Sequence, residues 1–229
     1  MEVVSFLVMS ALLMVVPVRG RRKLLERFIE SFAATRELDT RLLLVADDGD
    51  DCYEGISLPS FATMRRIPRT YVVDKVNQFA VPATRNHLYI GNTGDDNVME
   101  TPGWDRYLIE PLEKKGHGWS YPDDIRRRDI PENVIISAPI IKALGWMQCP
   151  LMRHYWVDHV WADLGRATGR LFFVPYVVQP HHHYLAAPGV DHDQTYKDAE
   201  RYAQHDADAY ETWRRDHFTR DLETVRGAL

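Results

Sequence analysis

The sequence predicts an α/β fold with a mostly parallel central sheet, and three observations carry that prediction. Bare aliphatic runs recur, as at Leu12 to Val16 and Arg41 to Ala46, of the kind buried on both faces of a parallel sheet. The stretch between them carries apolar residues at helical spacing, so strand and helix alternate. The strand ends run into polar, acidic turns, and in such sheets ligands bind outside the carboxyl ends of strands.

The elements follow in order. Val3 to Val18 is nearly all apolar. It is too short to span a bilayer, Glu2 stands where a signal peptide has basic residues, and the positive charges come after it. The run is therefore read as a buried strand centred on Leu12 to Val16, preceded by an additional apolar segment, with no membrane insertion. Pro17-Val18-Arg19-Gly20-Arg21 punctuates the turn, and Leu24, Leu25, Phe28, Ile29, Phe32 and Ala33 predict an amphipathic helix. The second strand, Arg41 to Ala46, ends in the acidic turn Asp47-Asp48-Gly49-Asp50-Asp51. A third strand is expected near Tyr71-Val72-Val73, then a helical stretch around Pro82 to Leu88, leading into the strand that ends at Gly94-Asp95-Asp96-Asn97. Turns are expected at Pro102-Gly103, Gly116 to Gly118 and Pro122-Asp123-Asp124. A helix follows from about His154 to Ala167, a strand from Leu171 to Val178, and a charged helical tail from Thr195 to Val225. Tyr202, Ala209, Trp213, Leu222 and Val225 form the tail's intermittent apolar face.

Composition narrows the function. With 229 residues and 45% hydrophobic content the chain is long enough to bury a sizeable core. A net charge of −5 argues against a general nucleic-acid footprint, which is basic overall. Basic runs at Arg19 to Lys23 and Arg126-Arg127-Arg128 leave room for local phosphate contacts, although a solvated loop is the simpler reading of the second. Cys52 and Cys149 belong to no motif, so neither a disulfide framework nor a Cys-based zinc site is expected, and a reducing cytoplasm is the expected compartment.

Two clusters carry candidate chemistry. Asp95, Asp96 and Asn97 gather hard oxygen ligands at a strand end, suited to Mg²⁺ or Mn²⁺ completed by substrate phosphates. The same residues also simply make turns. Their weight comes from His181-His182-His183, which ends another apolar run and offers neutral ring nitrogens. A zinc site of these histidines with His192 lacks a spaced motif such as His-Glu-x-x-His. Asp158 lies between Trp156 and Trp161 on a predicted helix, with His154 four residues earlier on the same face. A carboxylate among aromatic side chains gains basicity by desolvation, which suits a base that deprotonates a hydroxyl; a structural ion pair is the alternative. Arg19 and Arg85 are candidates for a diphosphate through bidentate guanidinium geometry. Trp104 and Trp146 could stack on sugar faces, but aromatics of this kind more often fill the core.

The order of these elements resembles a known family. Pro17-Val18-Arg19-Gly20-Arg21 before a helix, Asp47-Asp48, Arg85-Asn86, Gly94-Asp95-Asp96-Asn97, Pro102-Gly103-Trp104-Asp105, Leu144-Gly145-Trp146, His154-Tyr155-Trp156-Val157-Asp158 and His181-x-His183 carry it. Together they resemble the nucleotide-sugar glycosyltransferases of the GT-A fold, family 2-like, particularly the compact forms of phages and actinobacteria. The resemblance runs from about Val15 to Trp213. It implies one GT-A domain over 1–229, with a nucleotide-sugar-binding half at about 10–100, an acceptor half at 101–194 and a helical tail at 195–229. It implies Mn²⁺ or Mg²⁺ held by Asp96, with Asn97 as an alternative oxygen donor and His181 or His183 closing the shell. Asp95 would contact the ribose or support the metal. Pro17, Arg19, Asp47, Asp48, Arg85 and Asn86 would meet the nucleotide-sugar, with a UDP-sugar favoured over a GDP-sugar, and Asp158 would be the inverting base. The metal motif departs from the family's Asp-x-Asp by reading Asp-Asp-Asn. A glycan, a protein or a modified DNA base are all open as acceptor.

Three other activities share parts of this pattern. A sugar-nucleotide nucleotidyltransferase would favour a Gly-rich loop after the first strand, where this chain has one glycine. A noncatalytic nucleotide- or carbohydrate-binding protein would keep the fold without turnover. A His/Asp metallohydrolase would need no nucleotide.

Overall fold

A computed structural model describes residues 11–182 and 192–229. The apolar segment before residue 11 and His183 lie outside the described residues. The chain runs β1 (Leu12–Pro17), α1 (Arg22–Thr35), β2 (Arg41–Asp47), β3 (Ala62–Ile67), α2 (Val72–Ala83), β4 (Tyr89–Asn92), α3 (Trp104–Lys115), β5 (Trp119–Asp123), β6 (Val134–Ser137), α4 (Ala138–Leu144), α5 (Val157–Thr168), β7 (Leu171–Val178), α6 (Gln194–Glu200), α7 (Ala203–Asp216) and α8 (Phe218–Ala228). The seven strands form one sheet in the order β3-β2-β1-β4-β6-β5-β7. β6 pairs antiparallel with both its neighbours, and the other pairings are parallel.

Side-chain alternation on the strands divides the core in two. On β1, Leu12, Met14 and Val16 face α1 and α3, packing on Leu25, Phe28, Phe32 and Leu108. Val15 faces the other way, into a cluster with Val76 of α2, Ile141 of α4, Trp161 of α5 and Trp213 of α7. Both faces of the sheet are thus covered by helices, as parallel strands require. Among the described residues no helix is long and apolar enough to cross a membrane.

The strands β1, β2 and β7 and the helix α1 lie where the aliphatic runs and helical spacing place them, though Ala33 of α1 is exposed. Four expectations are corrected. Tyr71-Val72-Val73 begins α2 rather than a strand, because Val73, Val76 and Ala80 recur at helical spacing and all three are buried. The helix near Pro82 lies earlier than expected, ending at Ala83, and Pro82 sits in its last turn. Pro122-Asp123 is part of β5 rather than a turn. His154 precedes α5, whose N-cap Trp156 has a left-handed φ of 67°, so His154 and Asp158 do not share a helix face.

Candidate active site

The carboxyl ends of β1 and β4 open onto one cavity of about 900 Å³, within the range of small-molecule sites. Pro17, Arg19 and Arg21 enter it from the β1 end, Asp95 and Asp96 from the β4 end. The segment from Arg153 to His159 also lines it, His181 follows β7, and Tyr196 and Asp198 of α6 join the wall. Asp47 and Asp48, at the end of β2, line a shallower hollow of about 340 Å³ that shares Arg19, Arg69, Thr195 and Asp198 with the main cavity.

The acidic turn after β4 is built tightly. A Cβ on Gly94 would stand 2.5 Å from Asp96 Oδ1, so a side chain there would push the Asp96 carboxylate from its place. Asp95 and Asp96 are each 5% exposed. Asp96 Oδ2 accepts from the Tyr196 hydroxyl at 2.8 Å and from Arg21 Nη1 at 3.3 Å, and its Oδ1 lies 3.3 Å from His181 Nε2. Burial alone would raise both carboxyls. Asp96 is instead held below the usual carboxylate range by His181, Arg21 and Tyr196. Asp95 takes the opposite course and is pushed up to about 8, first by burial and then by the charge of Asp96 beside it. His181 rises to about 9: burial opposes its charge, but hydrogen bonds to Asp96 and to Glu132, at 2.9 Å from Nδ1, outweigh it.

Asn97 does not join the cavity wall. Its Oδ1 accepts from Asn133 Nδ2 at 2.9 Å and its Nδ2 donates to the Gly94 carbonyl, so the carboxamide braces the turn from behind. Asn133 in turn accepts from the Thr93 hydroxyl at 2.7 Å. A bridge between Asn97 and His181 brings the end of β7 against this turn. Arg85 and Asn86 also stand apart from the site. They lie exposed between α2 and β4, at the amino end of β4, whereas the acidic turn follows its carboxyl end. Helix α2 must reverse there to begin the strand, and the two residues serve that reversal: their backbone N–H groups donate to the carbonyls of Pro82 and Ala83. The contact expected of them with a diphosphate has no place in this geometry.

Beyond the ends of β1 and β2, Arg19 bridges Asp198 at 2.7 Å and Asp47 at 3.6 Å. Asp47 also pairs with Lys75 of α2, a buried ammonium whose pKa burial lowers despite its carboxylate partner. Asp158 sits in the first turn of α5 with 20% side-chain exposure. Its Oδ1 accepts from the His159 backbone N–H and lies 2.9 Å from His159 Nδ1. The basic run Arg126-Arg127-Arg128 is neutralised internally by Glu132, Asp129 and Asp123.

Several residues of the site were not singled out by sequence. Arg21 is the most connected: its guanidinium, 7% exposed, binds Asp193 at 2.7 and 3.0 Å, approaches Asp95 and Asp96, and stacks 3.8 Å from the centroid of the Tyr196 ring. Asp193 carries the N-cap signature of α6, accepting from Tyr196 N, but nothing local marks its arginine partner. Glu132 and Gln148 likewise reveal themselves only in three dimensions. Gln148, 2% exposed, donates to Asn92 Oδ1 at 3.0 Å, and Asn92 donates to the Val15 carbonyl, forming the cavity floor.

Among the described residues, no three His, Cys, Asp or Glu side chains already converge as a metal cage. The Arg21 guanidinium takes the cationic place beside the two aspartates. The donor set nonetheless fits a hard divalent ion: two adjacent buried carboxylates, one oxygen of Asp95 left without a partner, and an imidazole against the other.

No family model and no curated protein sequence matches the chain. Solved structures do. A mannosyltransferase from Pyrobaculum calidifontis, in complex with GDP-Man and Mn²⁺, superposes over 96% of this chain and 74% of its own at a TM-score of 0.59 and 13% identity. Glucosyl-3-phosphoglycerate synthase from Mycobacterium tuberculosis, with Mn²⁺, UDP-glucose and phosphoglyceric acid, covers 76% of this chain and 72% of its own, at 0.57 and 13%. TarS of S. aureus covers 73% of this chain and 36% of its own, at 0.57 and 9%. At such identities the likeness speaks to architecture, and that architecture is the GT-A fold.

Proposed function

We propose that this protein is a divalent-metal-dependent glycosyltransferase that moves a sugar from a nucleotide-sugar, a UDP-sugar in the first instance, to an acceptor hydroxyl with inversion. The observation that carries the reading is the juxtaposition, in one GT-A cavity, of the Asp95–Asp96–His181 cluster at the strand ends and the Asp158 carboxylate. The mannosyltransferase bound to GDP-Man and the synthase bound to UDP-glucose, each with Mn²⁺, support the donor class while leaving the base open.

Asp96 and His181 would hold the ion, with Asp95 supporting it, and His181 would give up its proton to do so. When bound, the ion stabilises the charge that grows on the departing diphosphate. Arg19 and Arg21 are placed to meet phosphate oxygens with paired N–H groups, once the carboxylates of Asp198 and Asp193 yield them. Asp47, which pairs with Lys75, and Asp48 would accept from ribose hydroxyls or base N–H groups, and Pro17 lines the cavity beside them. Asp158 takes the proton of the acceptor hydroxyl as its oxygen bonds to the anomeric carbon and the bond from that carbon to the phosphate oxygen breaks. Hydrogen bonds from His159 to Oδ1 fix the carboxylate in place.

The test is release of nucleoside diphosphate from UDP-glucose, UDP-galactose and GDP-mannose with Mn²⁺ and with EDTA. Release that needs the metal and vanishes in Asp158→Asn supports the proposal. Metal-independent hydrolysis with no preference among nucleotides contradicts it.

A further inference from the structure

The arginine and lysine side chains lining the cavity divide sharply. Arg19, Arg21, Arg69, Lys75, Arg126 and Arg127 each have a carboxylate partner within 4 Å. Arg153 has none: among the described residues its guanidinium makes no hydrogen bond and no ion pair. It is nevertheless held. Its Cζ lies 4.8 Å from the centroid of the Tyr71 ring and 5.7 Å from that of Tyr202, and the two rings meet edge to face at 5.3 Å. The backbone beneath is clamped by Asp206 of α7, which is fully buried. Its two carboxylate oxygens accept from the N–H groups of Arg153, His154 and Tyr155 at 3.0, 2.8 and 2.8 Å. The Arg153 carbonyl accepts from Val73 N at 3.2 Å. Three residues further on, Trp156 adopts its left-handed conformation and turns the chain into the helix that carries Asp158.

A cation with no counter-charge, stacked on aromatic faces and fixed through its backbone, is prepared for an anion from outside the protein. The proposed diphosphate contacts are already assigned to Arg19 and Arg21, which line the same cavity. We infer that Arg153 is an acceptor-recognition residue and that the acceptor carries a phosphate group beside the hydroxyl presented to Asp158. This deepens the glycosyltransferase reading and rests on it for the word acceptor; the anion site itself does not. Asp206 is the positioning residue that presents the guanidinium and sets the loop leading to Asp158.

The test is calorimetric titration of protein saturated with Mn²⁺ and UDP by inorganic phosphate, glycerol 3-phosphate and glycerol. Wild type is expected to bind glycerol 3-phosphate and not glycerol. Arg153→Met weakens that binding at least tenfold, Arg153→Lys falls between the two, and UDP affinity stays within twofold in both. Equal phosphate binding by wild type and Arg153→Met overturns the inference, as does the absence of phosphate binding by wild type. A loss of UDP affinity in place of phosphate affinity also overturns it, by putting the guanidinium on the donor. The same comparison on nucleotide-free protein decides the anion site separately, so a failure of UDP and GDP to bind sinks the glycosyltransferase reading without masking the result for Arg153.

Discussion

Asp105 shares a motif with Pro102-Gly103-Trp104, yet the structure gives it a role far from the cavity, and that separates stability from function in one substitution. Its side chain is fully buried at the start of α3. Oδ1 accepts from Glu37 N and Oδ2 from Leu38 N, each at 3.0 Å, and Oδ2 also accepts from the hydroxyl of Thr40 at 2.6 Å. One carboxylate thus fixes the turn that launches β2. Replacing it with alanine strands the hydroxyl of Thr40, itself fully buried, at roughly 1–3 kcal/mol, and loses three backbone bonds, from Glu37, Leu38 and Arg106, at roughly 0.5–1.5 kcal/mol each. The sum is about 5 kcal/mol, and at about 2–4 °C per kcal/mol for a chain of this size Tm falls by about 10–20 °C. Thermal and urea unfolding followed by circular dichroism measure the loss, while UDP titration with Mn²⁺ at low temperature measures the site. A loss under about 1 kcal/mol, or a drop in UDP affinity without a drop in stability, would refute the reasoning.

Further outcomes follow from other contacts. Asp158→Asn is expected to lower kcat by about 10²- to 10⁴-fold with UDP affinity within twofold, read by diphosphate release and calorimetry; retained turnover excludes Asp158 as the base. Asp198→Asn frees Arg19 and Arg69, which that carboxylate holds at 2.7 and 3.1 Å, so UDP should bind several-fold more tightly and with a steeper dependence on salt. Unchanged affinity would show that these guanidinium groups do not meet the phosphates. Burial pushes the Cys149 thiol up to about 11, so at pH 8 the native protein should alkylate there about a hundredfold more slowly than the urea-unfolded chain. Because the folded pKa is the higher one, the associated stability is full below the ordinary thiol value of 9.0 and is lost as pH rises towards about 11. Mass spectrometry after iodoacetamide treatment reads the thiol, and equal rates in native and unfolded chains contradict the burial.

What could be read in the sequence follows burial. β1 and β2 are aliphatic runs, β7 is an apolar run of aliphatic and aromatic residues, and α1 has a clear apolar stripe, so period and composition were enough. β3, Ala62–Ile67, escaped because it is an edge strand whose Arg65 and Arg66 are exposed, which blunts pairing with other chains and hides the apolar signal. β6 is four residues long, and β5 carries Ser120, Pro122 and Asp123. The site divides in the same way. Asp47, Asp95 and Asp96 stand at strand ends where topology alone points. Arg21 was visible only as one member of a basic run, because its partners Asp96 and Asp193 lie 75 and 172 residues away. Asn97 belonged to the same tetrapeptide as its neighbours, and only the hydrogen bond from Asn133 shows that its oxygen is already used. Arg85 and Asn86 kept their place in the order of motifs while the turn between α2 and β4 put them at the wrong end of the sheet.

In the proposed reaction the acidic turn after β4 and His181 hold a divalent ion against a nucleoside diphosphate. Calorimetric titration of UDP and GDP, each with Mn²⁺ and with EDTA, on wild type and Asp96→Ala probes that ion. One nucleotide should bind only with the metal, and Asp96→Ala should abolish this binding. Binding of neither nucleotide, or binding that is indifferent to both EDTA and Asp96→Ala, would contradict the proposal.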